Sequence, residues 1–268
     1  MISVKNLGYT YMIGTPFEKT ALKNISFEVA EGEVLAIAGH TGSGKSTLIQ
    51  LVAGLIDLTG GSIEIDGLKV TDKKIRRLIG IVFQYPEQQL FEETVESDIA
   101  FAPKNFGLSE EEISARVNEA MRQVGLSDEL KKVSPFELSG GQRRRVAIAG
   151  ILALKPKYLI LDEPTAGLDP LAKENLLSEI FGAIKKSGVT IILVSHNMDD
   201  IARFADRVIV LAHGEILFNG KPRDLFAREE ILTCAGLEPP PVTKLIHALG
   251  IDKIVLTLDE AEKIISKP

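Results

Sequence analysis

The sequence predicts an α/β fold built on a mainly parallel sheet, and three observations carry that prediction. Short continuous apolar runs such as "EVLAIAG", "YLILDEP" and "VTIILVS" have the length and branched-aliphatic content of strands buried on both faces. Segments with helical spacing stand between them, as the crossovers of a parallel sheet require. One block, from Tyr85 to about Lys155, loses strand alternation and reads as helices inserted between two strands.

The elements follow in order. "ISVKNL" and "ALKNISFEV" alternate as strands, and "MIGTPFEK" between them, with Gly14 and Pro16, is a loop. "EVLAIAG" runs straight into "HTGSGKSTLIQLVAGL", whose later part has helical spacing. "GSIEIDG" predicts a hairpin strand and "IGIVFQ" a core strand ending at Gln84. Helical patterns then occupy "TVESDIAFAPKNF", "EEEISARVNEAMRQV" and "GQRRRVAIAGILAL", with Ser109 and Glu112 spaced as a capping box. "KYLILDEP" resumes the strand pattern, "LAKENLLSEIFGAIKKSG" is a helix and "VTIILVS" a core strand. "DRVIVLAHGEILFNG" is a further strand with a turn at His213–Gly214. After Gly236, three prolines make a stiff spacer before two short amphipathic helices. The division expected is a domain over 1–235, with a helical insertion at about 86–155, and an appendage over 236–268. That tail either packs on its own domain or contacts another subunit.

The bulk numbers narrow the function. A chain of 268 residues, 45% hydrophobic, has ample material for a core. The net charge of −6 weighs against a general nucleic-acid binder, whose affinity comes from Lys and Arg on phosphates. The single cysteine, Cys234, excludes an internal disulfide, points to a reducing compartment and reads as a small apolar filler. "MISVKNLGYT" lacks the basic and apolar regions of a secretory leader. No apolar run approaches the ~20 residues that span a bilayer. A membrane process would need another subunit for its membrane part.

The chemistry sits in a few short stretches. "GHTGSGKS", Gly39–Ser46, fits G-x-x-x-x-G-K-[ST] between a strand and a helix. Gly39, Gly42 and Gly44 permit a loop that turns backbone N–H groups towards phosphate oxygens, with His40, Thr41 and Ser43 between them. Lys45 reaches the β- and γ-phosphates, the Ser46 hydroxyl suits Mg²⁺, and Thr47 closes the expected nucleotide-binding stretch. "YLILDEP" delivers Asp162 to hold magnesium and Glu163 to polarise a water, at the strand end where such sheets bind ligands. His196 has the same placement after "VTIILVS" and suits a γ-phosphate contact. Gln84, after "IGIVFQ", can sense magnesium or the water through its amide oxygen. "LSGGQRRR" adds a second anion-suited helix start at Ser139, Gly140, Gly141 and Gln142, with no lysine of its own.

"GHTGSGKST", Gln84, "LSGGQ", "LILDEP", "AGLD" and His196, in that order, resemble the motif set of ABC-transporter ATPase subunits over roughly the first 230 residues. The resemblance implies a P-loop NTPase (RecA-like) core with an antiparallel β subdomain and an inserted helical subdomain. It implies ATP and Mg²⁺ as ligands. It also implies a head-to-tail dimer, in which Ser139 and Gly141 serve the partner's γ-phosphate and Asp169 crosses the interface. Tyr11 stands where the family places an adenine-stacking aromatic, with Tyr9 a nearby competitor.

"FQYPEQQLFEETVESDIAFAPKN", "SPFELSGGQRRRVAIAG" and "GTPFEKTAL" are similar to the ATPases of energy-coupling-factor importers, which take up vitamins and transition-metal ions. That resemblance implies a second ATPase subunit, identical or paralogous. It also implies a transmembrane coupling protein, a substrate-specific membrane subunit, and a peripheral place on the cytoplasmic face of the membrane. Phe91, Val95, Ile99 and Phe101 would then meet the coupling protein or pack in the helical lobe. Two alternatives stand beside it: an ABC transporter ATPase of another class, for amino acids, peptides or export, and a non-transport ABC ATPase acting on nucleic acid or ribosomes. The second lacks the long coiled coil or doubled cassette such chains carry.

Overall fold

The computed structural model describes residues 1–266, apart from the side chains of Pro170, Lys185 and Lys186. The chain divides into two compact units, Met1–Ile75 with the chain from Ile191 onward, and Arg76–Thr190.

The first unit opens with β1 (Ile2–Tyr11) and β2 (Lys19–Val29), an antiparallel hairpin in which Val4 lies opposite Phe27 and Tyr11 opposite Lys19. β3 (Val34–Ala38) is buried at every residue and leads through a glycine-rich loop into α1 (Lys45–Val52). β4 (Gly60–Ile65) and β5 (Leu68–Lys69) complete an antiparallel sheet of order β2-β1-β4-β5. Asp66 and Gly67, both at positive φ, make its last turn.

The second unit begins with β6 (Ile79–Val82) and continues through α2 (Val95–Asn105), α3 (Glu110–Gln123) and α4 (Gly140–Leu152). β7 (Tyr158–Asp162) pairs parallel with β6, and α5 (Pro170–Ser187) follows. Cap chemistry sets the helix starts. Thr94 with Ser97, and Ser139 with Gln142, form full capping boxes. The box expected at Ser109 is only half made: Ser109 accepts from the Glu112 amide at 3.3 Å, while the Glu112 carboxylate pairs with Arg116 at 2.7 Å. A charged partner one turn on outcompetes the weaker reach back to the cap.

The chain returns to the first unit with β8 (Thr190–Val194), α6 (Met198–Phe204), β9 (Arg207–Ala212) and β10 (Glu215–Gly220). β3 pairs parallel with both β8 and β9, and β10 pairs antiparallel with β9. β3, β8 and β9 are almost wholly buried, as their apolar runs require. α7 (Pro222–Phe226) and α8 (Glu229–Cys234) cover a cluster that includes Val208, Val210, Leu225 and Leu232. α9 (Pro241–Ala248) and α10 (Leu258–Ile265) enclose a small cluster of Val242, Ile246, Val255 and Ala261, while Ile254 and Leu256 pack on the larger one. The last two residues of the expected appendage, Lys267 and Pro268, lie outside the described residues. Cys234 is exposed rather than a filler, because Leu232 and Ala235 take the buried positions of that segment.

Candidate active site

In the first unit, residues 39–44 form the loop between β3 and α1. Gly39 has φ 146°, and a Cβ there would lie 2.2 Å from the Leu211 carbonyl oxygen. Gly44 has φ 108°, and its Cβ would meet the Ala21 carbonyl oxygen at 2.7 Å. Backbone conformation and close packing thus both demand glycine. The β9–β10 turn braces the loop, with the Gly214 amide donating to the Ser43 carbonyl at 3.2 Å.

Lys45 Nζ donates to the carbonyls of Gly39 at 2.7 Å and His40 at 3.0 Å, which fixes the lysine across the loop. Ser43 Oγ is buried and has no hydrogen-bond partner among the described residues, a state that calls for explanation at a folded site. An orphaned hydroxyl in a loop of backbone amides at a helix start fits a site shaped for phosphate. Ser46 is exposed in the first turn of α1. Thr47 is buried, with Oγ1 3.0 Å from the Tyr11 hydroxyl. Tyr11 is 38% exposed and meets Tyr9 edge-on at 4.8 Å, so it is the more open of the two rings. Thr41 is exposed, and the His40 ring lies 5.4 Å from that of His213. His196 is exposed two residues beyond β8. The Asn197 amide donates to Ser195 Oγ at 3.0 Å and pins the neighbouring backbone.

In the second unit, Gln84 is exposed two residues beyond β6. Tyr85 follows with φ 56°. Asp162 ends β7, and Glu163 is the next residue, with φ 48°. Asp169 caps α5, its Oδ1 accepting from the amides of Leu171 at 3.1 Å and Ala172 at 3.0 Å.

At the start of α4, Ser139 Oγ accepts from the Gln142 amide at 3.3 Å and Gln142 Oε1 from the Ser139 amide at 3.0 Å. The serine hydroxyl is therefore held while its own proton stays available to an acceptor. Gly140 and Gly141 differ from the glycines of the phosphate loop. Neither has positive φ, and a Cβ on either would meet nothing within 4 Å among the described residues. Nothing among those residues requires glycine there.

Val95 and Ile99 are fully buried, so packing claims them, and of the four apolar residues expected near the coupling protein only Phe91 and Phe101 stay exposed. Those two rings meet edge-on at 4.8 Å and are both exposed. Sequence reasoning passed over Glu87 and Arg144, which the fold joins by a two-bond fork. A signal was present: Arg144 lies four residues before Ile148, on the stripe that α4 buries.

Each group expected at magnesium is a hard oxygen donor of the kind Mg²⁺ prefers: the Ser46 hydroxyl in the first unit, and the Gln84 amide oxygen and Asp162 carboxylate in the second. Among the described residues, no helix is long and apolar enough to cross a membrane.

The ABC transporter family matches residues 22–166. An energy-coupling factor transporter ATP-binding protein EcfA2 from Clostridium perfringens is 52% identical, over 98% of this chain and 96% of that protein. An EcfA2 from Caldanaerobacter subterraneus is 54% identical, over 98% and 95%. The solved structure of CbiO1 from Clostridium perfringens, part of the ABC transporter complex CbiONQ, has a TM-score of 0.78 at 38% identity, covering 93% of this chain and 98% of that one. A dimeric ATP-binding cassette in a post-hydrolysis state, bound to ADP and Pi, has a TM-score of 0.73 at 34% identity, covering 83% and 99%. With its braced phosphate loop, carboxylates at a strand end and capped signature helix, the chain belongs to the ABC transporter family, as an ATP-binding subunit of the energy-coupling-factor type.

Proposed function

We propose that this chain hydrolyses ATP as the energy-coupling subunit of a membrane importer for vitamins or transition-metal ions, working as a head-to-tail dimer. Each ATP lies between the phosphate loop of one copy and the signature helix of the other. The observation that carries the dimer is the contrast between the glycines: the phosphate loop needs its own for folding, whereas Gly140 and Gly141 leave open space beside a held serine hydroxyl. Glycines that the chain does not need suit the approach of a second body.

In this reading, Tyr11 stacks on adenine, and the loop from Gly39 to Thr47 cradles the phosphates. Lys45 holds the β- and γ-phosphates. Ser46, Asp162 and Gln84 hold Mg²⁺, which neutralises phosphate charge when bound. Glu163 accepts a proton from the attacking water, a contribution of ~10²–10⁴-fold. His196 donates a hydrogen bond to the γ-phosphate. Ser139, Gly140, Gly141 and Gln142 present the start of α4 to the partner's nucleotide, and Asp169 couples the two sites. Loss of the γ-phosphate removes the bridge, and the reopened dimer drives the membrane partners.

Those partners are a second ATPase subunit, a transmembrane coupling protein and a substrate-specific membrane subunit, with this chain peripheral on the cytoplasmic face. Residues 86–155 act as the helical lobe, where Phe91 and Phe101 offer the coupling protein an apolar contact, and 236–268 as an appendage to the domain over 1–235. The test is Glu163→Gln. Turnover is expected to fall by ~10²–10⁴-fold while ATP still drives dimerisation, read by light scattering. Wild-type turnover in that variant would remove Glu163 from its role.

A further inference from the structure

Three arginines follow the signature glutamine, and the middle one is buried. Arg144 is only 2% exposed and stands among the largest fully buried side chains of the described residues. A buried guanidinium is tolerated where its donors are answered, and here three of its nitrogens are. Nε donates to Glu87 Oε2 at 2.9 Å and Nη2 to Glu87 Oε1 at 2.8 Å. Nη1 donates to the Ala166 carbonyl at 2.8 Å and the Pro164 carbonyl at 3.3 Å. The guanidinium carbon also lies 6.0 Å from the centre of the Tyr85 ring.

These partners fall on two segments that each begin at a motif residue. Glu87 follows Gln84 by three positions, and Pro164 follows Glu163 directly. Each segment also contains a non-glycine residue in the left-handed region, Tyr85 at φ 56° and Glu163 at φ 48°. Such a conformation persists only where its surroundings hold it. Arg144 bonds the chain just beyond each one, from a helix whose first residues are the signature motif.

We propose that Arg144 is a positioning residue for ATP hydrolysis: it ties the loop carrying Glu163 and the turn after Gln84 to the signature helix, so that the three segments keep one geometry. The inference rests on the reading of Glu163 as the general base. It assigns Arg144 no contact with nucleotide. Lysine cannot replace it, because one ammonium cannot make a planar fork to a carboxylate and also reach two carbonyls.

The test uses the full-length chain with Mg²⁺ and ATP, measuring kcat, KM for ATP and thermal unfolding of Arg144→Lys, Glu87→Gln and the double variant. Arg144→Lys is expected to lower kcat at least 30-fold with KM within threefold of wild type. Glu87→Gln should lower kcat five- to tenfold, and the double variant should be no worse than Arg144→Lys alone. A purely structural arginine would lower the unfolding temperature and leave kcat per folded molecule within twofold, and that result overturns the proposal. If Arg144→Lys does not fold, Glu87→Gln decides: kcat within twofold of wild type overturns it. Glu163→Gln is the control. An inactive Glu163→Gln beside a fully active Arg144→Lys sinks this inference alone, whereas an active Glu163→Gln sinks the reading on which it rests.

Discussion

The Tyr11 hydroxyl lies 3.0 Å from Thr47 Oγ1, so the exposed ring at the end of β1 is fastened to the first turn of α1. Under the proposed function, this ties the ring that stacks on adenine to the helix whose start cradles the phosphates. Tyr11→Phe keeps the ring and loses one intramolecular hydrogen bond, worth about 1 kcal/mol, which loosens the ring's tie to α1 and should raise KM for ATP by at most about fivefold. Tyr11→Ala also loses stacking, about 1–3 kcal/mol, and should raise KM about tenfold or more with kcat little changed. Steady-state kinetics decide the matter. If Tyr9→Ala and not Tyr11→Ala raises KM, the stacking ring is Tyr9.

The two glycine sets should respond oppositely to alanine. Gly39→Ala drives a methyl into the Leu211 carbonyl, and Gly44→Ala one into that of Ala21. Both variants should lose ATP binding, and calorimetric unfolding should show a less stable protein. Gly140→Ala and Gly141→Ala meet nothing, so stability should stay within about 1 kcal/mol of wild type or rise. ATP-driven dimerisation and turnover should nonetheless fall at least tenfold. Full activity in both would free these glycines from any partner contact.

Ser139 separates capping from catalysis. Aspartate caps a helix as well as serine does, so Ser139→Asp should keep α4 intact, whereas Ser139→Ala should cost about 1 kcal/mol. In the proposed dimer, aspartate also sets a carboxylate against the partner's phosphate. Ser139→Asp should therefore be the more stable variant and the less active one. An active Ser139→Asp dimer would contradict the composite site.

Acid should weaken the second unit through Glu87. Burial alone pushes its carboxyl up, but the Arg144 hydrogen bonds, the residue's own backbone amide and the charges of Arg144 and Arg143 outweigh that and hold it below the ordinary 4.5. A carboxyl depressed on folding adds stability that is complete above 4.5 and lost as the pH falls below it. The unfolding temperature should decline as the pH drops from about 5 towards 3, and less steeply in Glu87→Gln. Equal slopes would exclude Glu87 from the acid response.

The sequence by itself determined the machinery that a short segment can carry alone. A glycine-rich turn between an apolar run and a helix, carboxylates at the end of "YLILDEP" and a serine one residue before "GGQ" are local arrangements, and the structure shows each as strand, loop and cap. The β9–β10 turn was legible at His213–Gly214, but its use as a brace for the phosphate loop was not. Tertiary structure alone decided that Val95 and Ile99 belong to the core and that Cys234 faces solvent. It also joined Glu87 to Arg144 across 57 positions. Local spacing fixes what a segment can offer. Which distant partner a side chain takes depends on competition for burial and charge among segments brought together only by folding.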